Sequence, residues 1–229
     1  MTGSDETRLE FEEEGQGVTV TLASGDAGNY LGVDDLAVLT SVLDKAEETG
    51  KRWLMLRQQG RDFCLGRAPS PGGEDTRKAL IGFVQRLQSL ELITVAAADG
   101  GCAGFGVGLF ALADISIATE RAWFQFPEIL HGPAPAIVAS WLYDRVPYKQ
   151  GLYWTVTGSK FGADDARHFG LASRVVGNEN LAAVASETTG LLESLAPAAV
   201  RNGKSVARAM SAAPPDLAVR RDMALKWFL

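Results

Sequence analysis

The sequence predicts an α/β fold in which parallel strands are joined by helices. Three observations predict it. Short apolar runs at Trp53–Leu56, Ile93–Ala98 and Ile115–Ala118 have the length of buried strands. Segments between such runs place apolar residues at helical spacing, as with Leu36, Leu39, Val42, Leu43 and Ala46. Strand and helix then alternate along the chain, and two parallel neighbours need such a crossover.

Taken in order, Arg8–Phe11 and Val18–Leu22 alternate apolar and polar residues around Glu14-Gly15-Gln16-Gly17, which predicts a β-hairpin. A helix follows from Asp34 to Glu48, with Asp34 as its N-cap and Gly50 just past its end. After the strand Trp53–Leu56, Pro69-Ser70-Pro71-Gly72-Gly73 excludes regular structure, so 68–75 reads as a mobile lid or substrate loop. Lys78 to Leu90 reads as a helix that packs Leu80, Ile81, Val84 and Leu87 inward. The strand Ile93–Ala98 leads into a turn with five glycines between Gly100 and Gly108, then a buried helix over Val107–Ala113 that Asp114 ends. Beyond the strand Ile115–Ala118 and Gly132 the chain is helical, with Trp141, Leu142, Val146, Tyr153 and Trp154 available for packing. A short helix around Asp164–Leu171, a last core strand at Arg174–Val176 and an Ala-rich helical remainder complete the chain. The expected division is a core of 1–177 and a helical region of 178–229.

With 229 residues, 46% of them hydrophobic and 22% charged, the chain can bury a sizeable core. Its net charge of −6 argues against a nucleic-acid partner. The start, MTGSDETR, lacks the features of a signal peptide, and no apolar run reaches the roughly 20 residues of a membrane helix. No membrane partner is expected. Two cysteines, Cys64 and Cys102, suit a reducing cytoplasm, and with only His131 and His168 besides, no metal site is expected.

The candidate chemistry lies between Ile93 and Glu128. A helix that starts after a Gly-rich turn offers unpaired N–H groups to an anion or a polarised carbonyl oxygen. Phe126-Pro127-Glu128 places one carboxylate among aromatic residues, which should raise its pKa and suit it to act as a base. His131, three residues on, is a candidate second acid–base group. Gly104-Phe105-Gly106-Val107-Gly108 departs from a dinucleotide fingerprint, whose third glycine would fall at Leu109. Cys102 has no histidine near it in sequence, so packing is the better reading of that thiol than nucleophilic attack.

Phe63-Cys64-Leu65-Gly66, the turn 100–106 with Asp114 following, Pro127-Glu128 and Ala166 through Gly170-Leu171 occur in the order of a known family. The chain resembles the crotonase (enoyl-CoA hydratase/isomerase) superfamily from its first strands to about Val176. That resemblance implies a ββα superhelical core with a C-terminal helical region that forms a homotrimer or hexamer. The apolar end Lys226-Trp227-Phe228-Leu229 is consistent with a surface that needs covering. The resemblance also implies an oxyanion hole made by the backbone N–H groups of Arg67 and Phe105. A thioester channel would pass Asn29, Tyr30 and Leu31, with Arg67 and Ala68 beside it. Ala68 stands where the family has an aspartate, and Gly132-Pro133-Ala134-Pro135-Ala136 matches a G-x-x-P-A variant.

By the same resemblance, the family's first catalytic glutamate falls at Gly108 and its second at Glu128. Two carboxylates normally position and split a water during hydration, whereas one can move a proton between two carbons. The expected activity is therefore double-bond isomerisation of an enoyl thioester, carried by coenzyme A or a carrier protein, with no other cofactor. The alternatives are hydration or C–C cleavage through a substitute such as His131, decarboxylation, or thioester binding without catalysis.

Overall fold

The structure, a computed structural model, describes residues 9–24, 28–69, 73–214 and 216–225. Strands β1 (Leu9–Glu14) and β2 (Gly17–Leu22) form the expected antiparallel hairpin. β3 (Trp53–Gln58), β4 (Ile93–Ala98), β6 (Ile115–Thr119) and β9 (Arg174–Val176) add to it in parallel, giving the order β1-β2-β3-β4-β6-β9. A second sheet of β5 (Gly101–Ala103), β7 (Trp123–Gln125) and β8 (Phe161–Gly162) runs in the order β5-β7-β8. Bridges between Leu31 and Arg67 and between Cys64 and Cys102 extend this smaller sheet backwards along the chain. Each turn of the chain thus contributes one segment to each sheet. The sequence reading missed the short second strands, because three residues are too few for a period to show.

Helices close the turns. α1 (Val33–Glu48) begins at an N-cap of Gly32 rather than Asp34. The Asp35 carboxylate accepts the Gly32 N–H at 2.7 Å, so both aspartates sit inside the first turn, where negative charge favours a helix. α2 (Glu74–Ser89) starts earlier than expected and takes Glu74 and Asp75 out of the anticipated lid, whose residues 70–72 lie outside the described ones. Its buried stripe is Leu80, Phe83, Val84 and Leu87; Ile81 is 47% exposed, one position off that stripe. α3 (Phe105–Leu112) is buried at every residue. A 3₁₀ turn (Pro127–His131), α4 (Ala136–Leu142) and α5 (Tyr148–Thr157) follow, with Trp141, Leu142, Val146 and Trp154 buried but Tyr153 exposed. α6 (Ala163–His168) precedes β9.

The alternation of the strands divides the core between two faces. Leu54, Leu56, Ala96 and Ala98 face α1, α2 and α3, whereas Trp53, Met55, Ile93, Val95, Ala97 and Ile117 face the other way. α7 (Leu181–Ser194) and α8 (Pro197–Ala212) cover that second face through Val184, Ala185, Leu192 and Val200. Polar bonds pin them there. Glu193 accepts the N–H of Gln16 at 2.7 Å and of the Trp53 indole at 3.1 Å, and the Lys204 ammonium donates to Asp114 at 2.6 Å. α9 (Leu217–Leu225) ends the described chain, and residues 226–229, where the apolar end was expected, lie outside it. No helix of the described residues is long and apolar enough to cross a membrane.

Candidate active site

The site lies where the Gly-rich turn meets α3. Residues 64–68 run between two neighbours. Cys64 donates to Gly101 and accepts from Ala103 of β5, while Leu31 donates to the Gly66 carbonyl and accepts from the Ala68 N–H. Since Gly66 and Ala68 turn their bonding groups to Leu31, the N–H of Arg67 points to the opposite side, that of β5 and α3. Gly104 donates its own N–H to Gln125 at 2.9 Å and caps α3 with φ of +50°, a backbone conformation that favours glycine. Phe105 is then the first residue of α3, where an N–H has no carbonyl partner within the helix. Both expected donors thus come from strand and helix geometry, independent of the Arg67 and Phe105 side chains.

Glu128 sits in the 3₁₀ turn that starts at Pro127. A Cβ at Gly104 would lie 2.4 Å from Glu128 Oε1, so the carboxylate rests against the bare backbone that leads into Phe105. Its Oε2 is buried and has no hydrogen-bond partner. Burial raises the Glu128 pKa above the ordinary 4.5, opposed by its own backbone N–H and by the Arg67 guanidinium. The expected aromatic surroundings need correction. Phe124 and Phe126 are wholly buried, and Phe124 packs against Phe110 and Phe161 rather than lining the site. The ring that shares the cavity with Glu128 is Phe105, held edge-on to Phe83 at 6.3 Å between centroids.

That cavity has a volume of about 430 Å³. Arg67, Arg77, Phe105 and Glu128 line it, with Thr76 and Leu80 of α2 and 133–138 closing the rest. α4 gives that last stretch the apolar side chains of Ile137 and Val138. At Gly108 a Cβ would stand 2.9 Å from both Trp141 Cζ2 and Val138 Cγ2, so those side chains already fill the space a residue there would need. The Trp141 indole also donates to the Gly108 carbonyl at 3.3 Å.

The remaining sequence candidates lie outside this cavity. His131 is exposed at the end of the 3₁₀ turn and does not line it. Asn29 is fully buried; its side chain accepts from Ser24 N–H at 2.8 Å and donates to the carbonyls of Gln59 and Asp62. Tyr30 is 37% exposed, and Leu31 spends both backbone groups on Gly66 and Ala68. Asn29–Leu31 therefore brace the strand that carries Arg67. Cys64 and Cys102 are free and buried; burial pushes the Cys64 thiol up to about 12 and the Cys102 thiol well above its usual range, which removes both as nucleophiles at neutral pH. Asp114 accepts the Thr94 N–H and hydroxyl, each at 2.8 Å, as well as Lys204, and is a helix-end bonding residue as expected. Among the described residues no group of His, Cys, Asp or Glu side chains is placed to hold a metal ion. Sequence reasoning missed Thr76, Arg77 and Val138; for Arg77 the available signal was its place three residues before Leu80 on the buried stripe.

The profile of the enoyl-CoA hydratase/isomerase family matches residues 72–223. The chain belongs to that family. Among the enoyl-CoA hydratase/isomerase proteins it resembles, the probable enoyl-CoA hydratase echA6 of Mycobacterium leprae is 28% identical, over 82% of this chain and 78% of its own. The 1,2-epoxyphenylacetyl-CoA isomerase of Escherichia coli is also 28% identical, over 74% of this chain and 70% of its own. A mitochondrial 3-hydroxyisobutyryl-CoA hydrolase of Xenopus tropicalis is 26% identical over 71% of this chain, which spans only 45% of that relative. The crystal structure of an enoyl-CoA hydratase from Mycobacterium smegmatis superposes with a TM-score of 0.89 at 26% identity, covering 97% of this chain and 90% of the other. The crotonase fold expected from the sequence is thus the fold the chain has.

Proposed function

We propose that the chain acts on an acyl-CoA thioester through an enolate, as a double-bond isomerase with Glu128 as its acid–base group. The observation that carries this reading is the buried Glu128 Oε2 without a partner, on a carboxylate set against the backbone that leads into Phe105. With the thioester oxygen between the N–H groups of Arg67 and Phe105, Glu128 takes a proton from the α-carbon and the freed pair moves into the carbonyl. The same carboxyl group returns the proton to the γ-carbon, the carbonyl re-forms and the double bond has moved. Each backbone donor aimed at the oxygen contributes about 3–4 kcal/mol to such a step. Coenzyme A enters only as part of the substrate. Relatives named as hydratase, isomerase and hydrolase support thioester chemistry without choosing among these reactions. Isomerisation is favoured because Val138 and Trp141 occupy the space that a second carboxylate at Gly108 would need.

The trimer belongs to the same proposal: α5 leaves Tyr148, Leu152, Tyr153 and Val156 exposed. Exchange of α-protons with deuterated water, followed by mass spectrometry over a panel of acyl-CoAs, tests the chemistry. Exchange and double-bond migration without hydration are expected. Binding with no exchange across the panel would leave a non-catalytic thioester-binding protein.

A further inference from the structure

α2 turns Leu80, Phe83, Val84 and Leu87 into the core. Continuing that stripe one turn towards the N-terminus reaches Arg77, three residues before Leu80 and so on the same face, with Thr76 beside it four residues before. Both line the Glu128 cavity. The rest of that cavity wall is mostly apolar, contributed by Leu80, Phe105, Ile137 and Val138. Arg77 is exposed at the rim of the cavity and Thr76 half-buried beside it, so an anion entering over the apolar wall meets this guanidinium. The Arg77 side chain has no hydrogen bond or ion pair with any described residue. The neighbouring Glu74 is already joined to Lys78 at 2.6 Å, and the cation that Glu128 senses is Arg67. The protein as a whole is acidic, with a net charge of −6, so an unpaired cation at this spot does not reflect a generally basic surface.

We propose that Arg77, with Thr76 beside it, forms a carboxylate-binding subsite, so that the acyl group ends in a second carboxylate. The substrate is then the monothioester of a dicarboxylic acid. This rests on the reading of the cavity as an acyl-thioester site. The planar fork of a guanidinium meets both oxygens of a carboxylate, which holds the far end of the acyl chain and orients its α-carbon towards Glu128. The phosphates of coenzyme A are the rival anion for Arg77, and binding measurements separate the two.

The test is calorimetric binding of glutaryl-CoA, butyryl-CoA and free coenzyme A, none of which needs turnover to be read. The unmodified protein should bind glutaryl-CoA about 10–100-fold more tightly than butyryl-CoA, the range of a charge-assisted hydrogen bond. Arg77→Met should abolish that preference while leaving butyryl-CoA and free coenzyme A unchanged, and Arg77→Lys should keep part of it. Equal affinity of the unmodified protein for the two thioesters would overturn the subsite. So would an Arg77→Met protein that loses the same factor for all three ligands, which would assign the arginine to the coenzyme phosphates. Failure of every ligand to bind would instead overturn the proposed function, and the subsite with it.

Discussion

The Glu128 carboxylate rests on Gly104: a methyl group there would stand 2.4 Å from Oε1. One glycine therefore serves two parts of the site. Its positive φ starts α3 and exposes the Phe105 N–H, and its missing side chain lets the carboxylate sit beside that N–H. Gly104→Ala should strain the backbone by about 1–3 kcal/mol and push Glu128 aside. We expect α-proton exchange to fall roughly a hundredfold, the effect of misplacing a reacting group by about 1 Å, while the protein still folds. Exchange rates together with urea unfolding check this, and unchanged exchange would place the base elsewhere.

Glu128→Gln keeps the size of the side chain and removes its basicity, so exchange should fall by about 10²–10⁴ with thioester affinity retained. Because burial raises the Glu128 pKa, the folded protein holds the proton more tightly than the unfolded chain does. The stability tied to that group is present below its unfolded value and is lost as pH rises through the folded value. Glu128→Gln should therefore gain stability relative to the unmodified protein as pH is raised from about 4.5, the ordinary carboxyl value. In the unmodified enzyme kcat/KM should rise with pH over the same window, as the base loses its proton. Parallel unfolding curves at every pH would contradict the burial of this group.

Gly108 borders a filled space, with Trp141 and Val138 each 2.9 Å from where a Cβ would be. Gly108→Ala should cost about 1–3 kcal/mol, the usual range for overpacking a core. Gly108→Glu should cost more and should not confer hydration of an α,β-unsaturated thioester, since the carboxylate has no room unless Trp141 moves. The appearance of a hydrated product would show that it does.

Lys204 is buried with its ammonium on Asp114 and on the Leu92 carbonyl, which ties α8 to the sheet. Burial lowers its pKa, although Asp114 acts in the opposite direction. Asp114→Asn leaves that cation without its counter-charge and should cost about 3–5 kcal/mol, as for other broken buried pairs. Lys204→Met should cost less, because Asp114 keeps its bonds to Thr94. Urea unfolding of both variants gives the comparison; equal losses would mean that the pair is solvated.

Much of the architecture was legible because it rests on local pattern. β4 and β9 fall at the residues predicted, and α1 follows from the spacing of Leu36, Leu39 and Leu43. Glu128 and the Gly-rich turn were legible for the same reason, as unusual residue types at short range. What the chain order could not hold is which segments meet. Phe124 and Phe126 flank Glu128 in sequence, yet a strand and the turn after it carry their rings into the core, while Phe105, 23 residues earlier, supplies the ring in the cavity. His131 shares the 3₁₀ turn with Glu128 but ends up in solvent, because three residues along such a turn do not fix the depth of a side chain. Ile137, Val138 and the unpaired Arg77 come from α4 and α2, which only long-range packing brings to one cavity. Local periodicity determined the elements of this protein; the winding of two sheets around a shared core decided which of their side chains make a site.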